Sequence, residues 1–269
     1  MAEHRAWYEK FPKPALRRLG QHVPSAPIES QIEALLEYLG VADPNAFDAV
    51  YGEALVSFRR AQRWIVDPYA TALWLRSAEL RASEIEVAVY ERTRFRDLLR
   101  DLPELTTLEM ADAFPRLQDL CADAGVAVVY NPAIDGTRVS GAVRWLGPER
   151  PVIALSERGK FEDSLWFGFF HEAAHVVLHP RRKSVVELSH SDDGDGAESE
   201  ANEFAKATIL RGCVDDLMGA ETREQIVELA GRAGIDPGLA AAIRAYEGDA
   251  DGWRIASKLR RKLDVGDLT

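Results

Sequence analysis

Residues 163–179, DSLWFGFFHEAAHVVLH, limit what this chain can fold into more than any other segment. As a helix the segment is apolar nearly all round, with Trp166, Phe167, Phe169, Phe170, Val176, Val177 and Leu178 spread over its faces. Such a helix runs through the inside of a protein rather than along its surface. Asp163 or Ser164 can cap its N-terminus, and Pro180 stops it after His179. Three polar side chains nevertheless sit in its middle: His171, Glu172 and His175. Buried polar groups need partners, and positions i and i+4 share a helix face, so both imidazoles can reach one metal ion. Glu172 lies one step round, beside the open side of that ion. Neutral imidazoles bind Zn²⁺, which lowers the pKa of a bound water towards roughly 7, and a neighbouring carboxylate can take its proton. The plainer alternative is a core helix whose polar residues hydrogen-bond to their neighbours.

A zinc site of this kind needs a third protein ligand. The spacing that would place a third histidine farther along is absent, because Val177, Leu178, His179 and Pro180 follow instead. His179 is eight residues beyond His171, which puts it about 80° round and roughly 12 Å along the helix, too far to share the ion easily. A carboxylate from a second helix is the other solution. Residues 197–210 (AESEANEFAKATIL) read as that helix. Glu198 and Asn202 share a face, which Ala201 and Ala205 continue with side chains small enough for two helices to approach closely. Asn202 can offer its amide oxygen to the far N–H of a ligating histidine and fix the ring. Glu200 and Glu203 are rivals to Glu198 that lie about 160° to 200° away from this face.

At this point the chain resembles the ImmA/IrrE family of zinc metallopeptidases. The resemblance rests on WFGFFHEAAHVVLH (166–179) and ESEANEFA (198–205). It extends more loosely to DLCADAGVAVVYNPAIDGTRVSGAVRWL before the helix, to GIDPGLAAAIRAYEGD near the C-terminus, and to residues 11–50 and 74–80. The resemblance implies that His171, His175 and Glu198 match the zinc ligands and Glu172 the catalytic base. It also implies a protein substrate, a helix-turn-helix repressor or antitoxin whose cleavage switches stress, mobile-element or toxin-antitoxin genes. Many members begin with a helix-turn-helix domain. This chain opens where such a domain has already ended, as an antitoxin-like member lacking that domain would, or as a piece of a longer regulator. It also has Leu210-Arg211-Gly212-Cys213 where an apolar residue and Pro often follow the ligand helix.

The chain has 269 residues, enough for one large domain or two small ones. Residues 1–105 read as a helical N-terminal region, with helices at 27–39, 44–66, 68–80 and 83–102 and aromatic core residues Phe47, Tyr51, Trp64 and Trp74. Residues 106–269 read as the metallopeptidase-like domain. Thr106-Thr107-Leu108-Glu109 is a capping-box pattern opening a helix to Ala124. Segments 125–130, 140–146 and 152–155 read as strands. The expected class is α+β: a helical N-terminal region, then a core like a minimal thermolysin-like (gluzincin) peptidase, with a small three-stranded sheet and C-terminal helices. A peptidase commonly holds its substrate as an added strand on an exposed sheet edge. The strand 140–146 is the candidate for that edge, with Ser140, Gly141 and Ala142 as substrate-binding residues; the alternative is an ordinary mid-sheet strand.

The net charge of −11 argues against autonomous nucleic-acid binding, which needs a basic face. Two basic runs stand out, Arg181-Arg182-Lys183 and RIASKLRRK (254–262), the second reading as a solvated face of a terminal helix or a dock for an acidic partner. Residues 224–243 have a helix-turn-helix look around a turn at Asp236-Pro237-Gly238, with little basic charge. They read as structural or as a cleft wall. No apolar run approaches membrane-spanning length, no signal peptide opens the chain, and Cys121 and Cys213 are far apart, so a reduced cytoplasmic setting is expected. The acidic loop 190–196 (HSDDGDG) lacks the full calcium-loop pattern and reads as a solvated loop or lid between the two ligand helices. His179, His190, Arg138, Arg144 and Tyr246 are the candidates for stabilising an oxyanion. Two functions fit: a zinc endopeptidase, and a non-catalytic zinc-binding module acting by protein contact.

Overall fold

The computed structural model describes residues 2–60, 67–179, 185–188, 196–248 and 250–268, with side chains given outside 53–60, 185–188 and 250–251. The chain opens with α1 (Ala2–Tyr8), α2 (Lys13–Arg18), α3 (Ile28–Leu39), α4 (Pro44–Arg60), α5 (Pro68–Ser83) and α6 (Arg92–Leu98). A 3-10 turn (Leu102–Thr107) leads into α7 (Met110–Asp123), then β1 (Ala127–Tyr130), β2 (Val139–Trp145) and β3 (Pro151–Leu155). α8 (Glu162–Leu178), β4 (Val185–Leu188) and α9 (Gly196–Leu210) follow. The chain continues through α10 (Val214–Met218), α11 (Arg223–Ala233), α12 (Pro237–Glu247) and α13 (Ala250–Ala256). The class is α+β, as the order of patterns predicts.

The sheet carries a fourth strand beyond the three that the sequence announces, and its order is β1-β3-β2-β4. β1 runs parallel to β3, with Val128 opposite Ile153, while β2 is antiparallel to both β3 and β4. Both faces are covered, and β1 and β3 are therefore buried at every position. On one face Val128, Tyr130, Val143, Ile153 and Leu155 join the core made by α6 to α13. On the other Ala127, Val129, Ala142, Val152 and Ala154 join the core made by α1 to α5. The alternation along each strand thus sorts its side chains between two cores rather than between core and water.

α5 is the element that fastens the N-terminal helices to the sheet. Asp67 caps it by accepting from the N–H groups of Tyr69 (2.9 Å) and Ala70 (3.1 Å). Trp74, fully buried, donates its indole N–H to the Asn131 carbonyl at the end of β1, and the Asn131 amide returns a bond to the Trp74 carbonyl (2.8 Å). Phe47, Tyr51 and Trp74 are core residues as expected; Trp64 lies outside the described residues.

Several local expectations are corrected. The helix expected over 83–102 is only α6, because residues 86–91 are not helical and the Ala88 N–H bonds the Ala122 carbonyl at the end of α7 (2.9 Å). Gly125 makes this close approach possible: at φ +85° it has no Cβ, and one placed there would stand 2.3 Å from the Tyr90 Cα. Thr106 and Thr107 do not cap α7. Their hydroxyls donate to the carbonyls of Pro103 and Glu104 and close a 3-10 turn, so α7 starts at Met110. The capping box instead forms at Thr222 and Gln225, opening α11. Between α11 and α12 the reversal comes at Gly234 (φ 69°), while Asp236 is the N-cap of α12 and Pro237 lies in its first turn. Both helices bury their apolar faces in the core shared with α8 and α9.

Candidate metal centre

The buried helix α8 spans Glu162 to Leu178, with Phe161 before it and His179 at its C-cap. Neither Asp163 nor Ser164 caps its N-terminus. Asp163 instead receives a two-pronged ion pair from Arg260 (Nε to Oδ2 2.6 Å, Nη2 to Oδ1 2.8 Å). The Arg260 guanidinium also lies 3.9 Å over the Phe161 ring. Beside it Arg261 pairs with Glu162 (2.7 Å) and Asp236 (3.4 Å), and donates to the carbonyls of Thr106 and Leu108. Within the basic run 254–262, Arg254, Lys258 and Lys262 are exposed, while Arg260 and Arg261 tie the C-terminal segment to the acidic start of α8. Burial pushes the Glu162 carboxyl up to about 7, with the Arg261 charge pulling the other way.

α9 lies antiparallel against α8, since His171 meets Asn202 and, one turn farther along, His175 meets Glu198. Ala201 and Ala205 are completely buried at the crossing and let the helices come together. The Nε2 atoms of His171 and His175 approach to 2.9 Å. Glu198 places Oε2 3.4 Å from the first and Oε1 3.5 Å from the second. All three donors lie within 4.8 Å of one another, the arrangement of a site that can hold a metal ion. On the far side of His171, Nδ1 is 2.8 Å from Asn202 Oδ1. That contact makes Nδ1 the protonated nitrogen and leaves Nε2 as a bare donor facing the cluster. Two imidazole nitrogens and a carboxylate converging where α9 crosses α8 fit a divalent cation. Burial favours the neutral Glu198 carboxyl, but the two rings outweigh it and hold the group far below the ordinary carboxylate range.

The two histidines are sealed, whereas the Glu198 side chain is 27% exposed, so solvent reaches the cluster from the α9 side. Glu200 and Glu203 point away, as their helical phase predicts: Glu200 lies 3.6 Å from His179, and Glu203 pairs with Lys206. Glu172 is fully buried on the face of α8 turned to the sheet, against Gly141 of β2.

β2 is not an edge strand. β3 pairs with it on one side, matching Gly141 to Leu155, and β4 on the other, matching Gly141 to Glu187. The Ser140 carbonyl accepts the N–H of Ser156 (2.9 Å), and Ala142 is buried in the N-terminal core. Ser140, Gly141 and Ala142 therefore have no open backbone for an added substrate strand. The added strand β4 was beyond reach of the pattern, because four residues, VVEL, carry too little periodicity. The lone glycine inside the strand VSGAVRW is the available signal that β2 passes close to something else.

Of the oxyanion candidates, Arg144 is spent on a buried ion pair with Glu79 of α5 (Nε to Oε1 2.8 Å). Tyr246 packs edge-on against Trp253 and hydrogen-bonds Ser164, about 10 Å along α8 from His171. The Arg138 carbonyl accepts from Arg158. His179 stays near the cluster, its ring 5.6 Å from that of His175. His190, the loop 190–195 and Arg181 to Lys183 lie outside the described residues.

An α+β domain in which a buried helix supplies His-Glu-x-x-His and an antiparallel neighbour supplies an acidic partner is of the metallopeptidase type. Residues 121–239 match the peptidase M78 family, described as the IrrE N-terminal-like domain, which supports a member of the ImmA/IrrE family. The match runs from the end of α7 into α12 and includes every residue of the cluster. No curated protein matches the chain. Among the described residues, no helix is long and apolar enough to cross a membrane.

Proposed function

We propose that the protein is a zinc-dependent endopeptidase in which His171, His175 and Glu198 hold the ion and Glu172 is the catalytic base. The observation that carries this reading is the convergence of two buried Nε2 atoms and a carboxylate within 4.8 Å. A bound zinc ion supplies an acidified water and a Lewis acid for the scissile carbonyl. Asn202 keeps the His171 ring turned so that Nε2 faces the cluster. Glu172 takes the proton of the attacking water and passes it to the leaving amine, in a pocket where burial strengthens each charge interaction. His179, whose ring lies 5.6 Å from that of His175, is the nearest described candidate to assist a developing oxyanion.

The substrate class follows the family: a separate helix-turn-helix repressor or antitoxin, cut to release genes of stress or mobile-element control in the cytoplasm. No direct nucleic-acid contact by this chain is proposed. The test is incubation with the helix-turn-helix protein encoded beside it, with zinc and with a chelator, followed by mass analysis of fragments. Cleavage that chelation and Glu172→Gln both abolish is expected. Full biological activity retained by Glu172→Gln would overturn the peptidase reading in favour of a zinc-binding module that acts by contact.

A further inference from the structure

A Cβ built on Gly141 would stand 2.6 Å from Oε1 of Glu172, 2.9 Å from its Cγ and 3.1 Å from its Cδ. Carbon atoms do not pack this closely, so no side chain fits at position 141 while Glu172 keeps its place. The strand is irregular at the same point, because the β2–β4 register shifts between Val139 and Gly141. A bulge of this kind re-aims the backbone towards a neighbouring element. Gly141 itself is held from both sides, by Leu155 of β3 and Glu187 of β4. Glu172 is 0% exposed, so the space its carboxylate occupies is bounded rather than open.

We propose that Gly141 is a positioning residue for Glu172: its bare Cα forms the wall of the slot that holds the carboxylate where it acts as a base. This rests on the peptidase reading above. The bulge brings the β2 backbone up to the carboxylate, and the missing side chain leaves room for it. When a methyl group is added, the two strands hold the backbone and the flexible side chain yields. The cost therefore falls on the base rather than on the fold or the ion.

The test compares wild type, Gly141→Ala, Glu172→Gln and the double variant, each loaded with Co²⁺ in place of zinc. Metal binding and the binding of acetohydroxamate are followed through the visible Co²⁺ bands. A hydroxamic acid binds as its anion and gives its proton to a neighbouring base, so its affinity reads the position of Glu172 without any peptide being cut. Expected is one Co²⁺ per chain in all four proteins. Acetohydroxamate affinity should fall about 10- to 100-fold in Gly141→Ala and in Glu172→Gln, with no further loss in the double variant. With the helix-turn-helix protein as substrate, Gly141→Ala should lose kcat and leave KM nearly unchanged.

Wild-type hydroxamate affinity in Gly141→Ala would overturn the proposal. So would additive losses in the double variant, or a Gly141→Ala protein that fails to fold or to bind Co²⁺, since the glycine would then serve the sheet. Affinity indifferent to Glu172 would overturn it together with the assignment of the base. Hydroxamate binding that depends on both residues, in a protein that cuts no helix-turn-helix substrate, supports the placement and removes the peptidase reading alone.

Discussion

His171 makes contacts on both of its nitrogens: Nδ1 meets Asn202 and Nε2 faces His175 and Glu198. Each contact predicts a different loss. Glu198→Ala removes a ligand, so zinc content measured after dialysis should fall well below one ion per chain; unchanged stoichiometry and affinity would remove Glu198 from the ligand set. Asn202→Ala leaves three ligands but frees the His171 ring, and zinc affinity by competition with a chromophoric chelator should weaken about 10- to 100-fold. Glu172→Gln is nearly isosteric and should keep the ion while slowing hydrolysis by about 10²- to 10⁴-fold. Most of this site was legible in the residues, since helical spacing alone puts His171 with His175 and Glu198 with Asn202. What spacing does not reveal is distance between elements. Arg144 is a plausible oxyanion donor in the sequence, yet it is turned to Glu79, sixty-five residues away. Gly141 carries no chemistry of its own and acquires a role only from the Glu172 side chain packed on it.

At the level of elements, α8 is anchored at its N-terminal end by the C-terminal segment, and that anchor is testable. Asp163 and Arg260 form a bidentate pair with both side chains largely buried. Asp163→Ala would strand the guanidinium, at about 3–5 kcal/mol, read as a lower denaturant midpoint with unchanged slope. Glu162 gives a pH dependence whose sign is set by its raised pKa. A carboxyl at about 7 in the folded chain, against an ordinary value of 4.5, binds its proton more tightly when folded. Its contribution to stability is complete below the unfolded value and is lost as pH rises through about 7. Thermal melts of the metal-free protein should therefore decline between pH 6 and pH 8, and Glu162→Gln should flatten that decline. A decline of the same size in the variant would assign it to another group. These elements were only partly legible. α5, α8, α9 and β1 to β3 follow from apolar runs bounded by turn and cap residues, whereas the partners of Thr106 and Asp163 follow from no local pattern. The Thr106 hydroxyl donates to the Pro103 carbonyl and accepts the N–H of Asp236, Asp163 takes Arg260 beside Ser164, and only the packed structure decides such partners.

For the whole molecule, the sheet divides two cores, and the metal centre belongs to one of them while Ala142 and Arg144 of β2 reach into the other. Loading the ion should stabilise the entire chain, because the ligands come from two helices that unfolding separates. At free zinc 1,000-fold above the dissociation constant the gain is about 4 kcal/mol, and a chelator should lower the melting temperature accordingly. A melting temperature indifferent to chelation would mean that the three residues bind no structural ion. The sequence by itself determined the class of the fold and the composition of the centre, because periodicity marks which faces must be buried and a buried His-Glu-x-x-His helix has few ways to satisfy its polar groups. The tertiary structure decided the rest: that β4 closes the free side of β2, that the basic C-terminal run grips α8, and that Gly141 borders Glu172. Each of these is a meeting of residues far apart in the chain, and such meetings are chosen by the packing of all elements at once rather than by any local pattern.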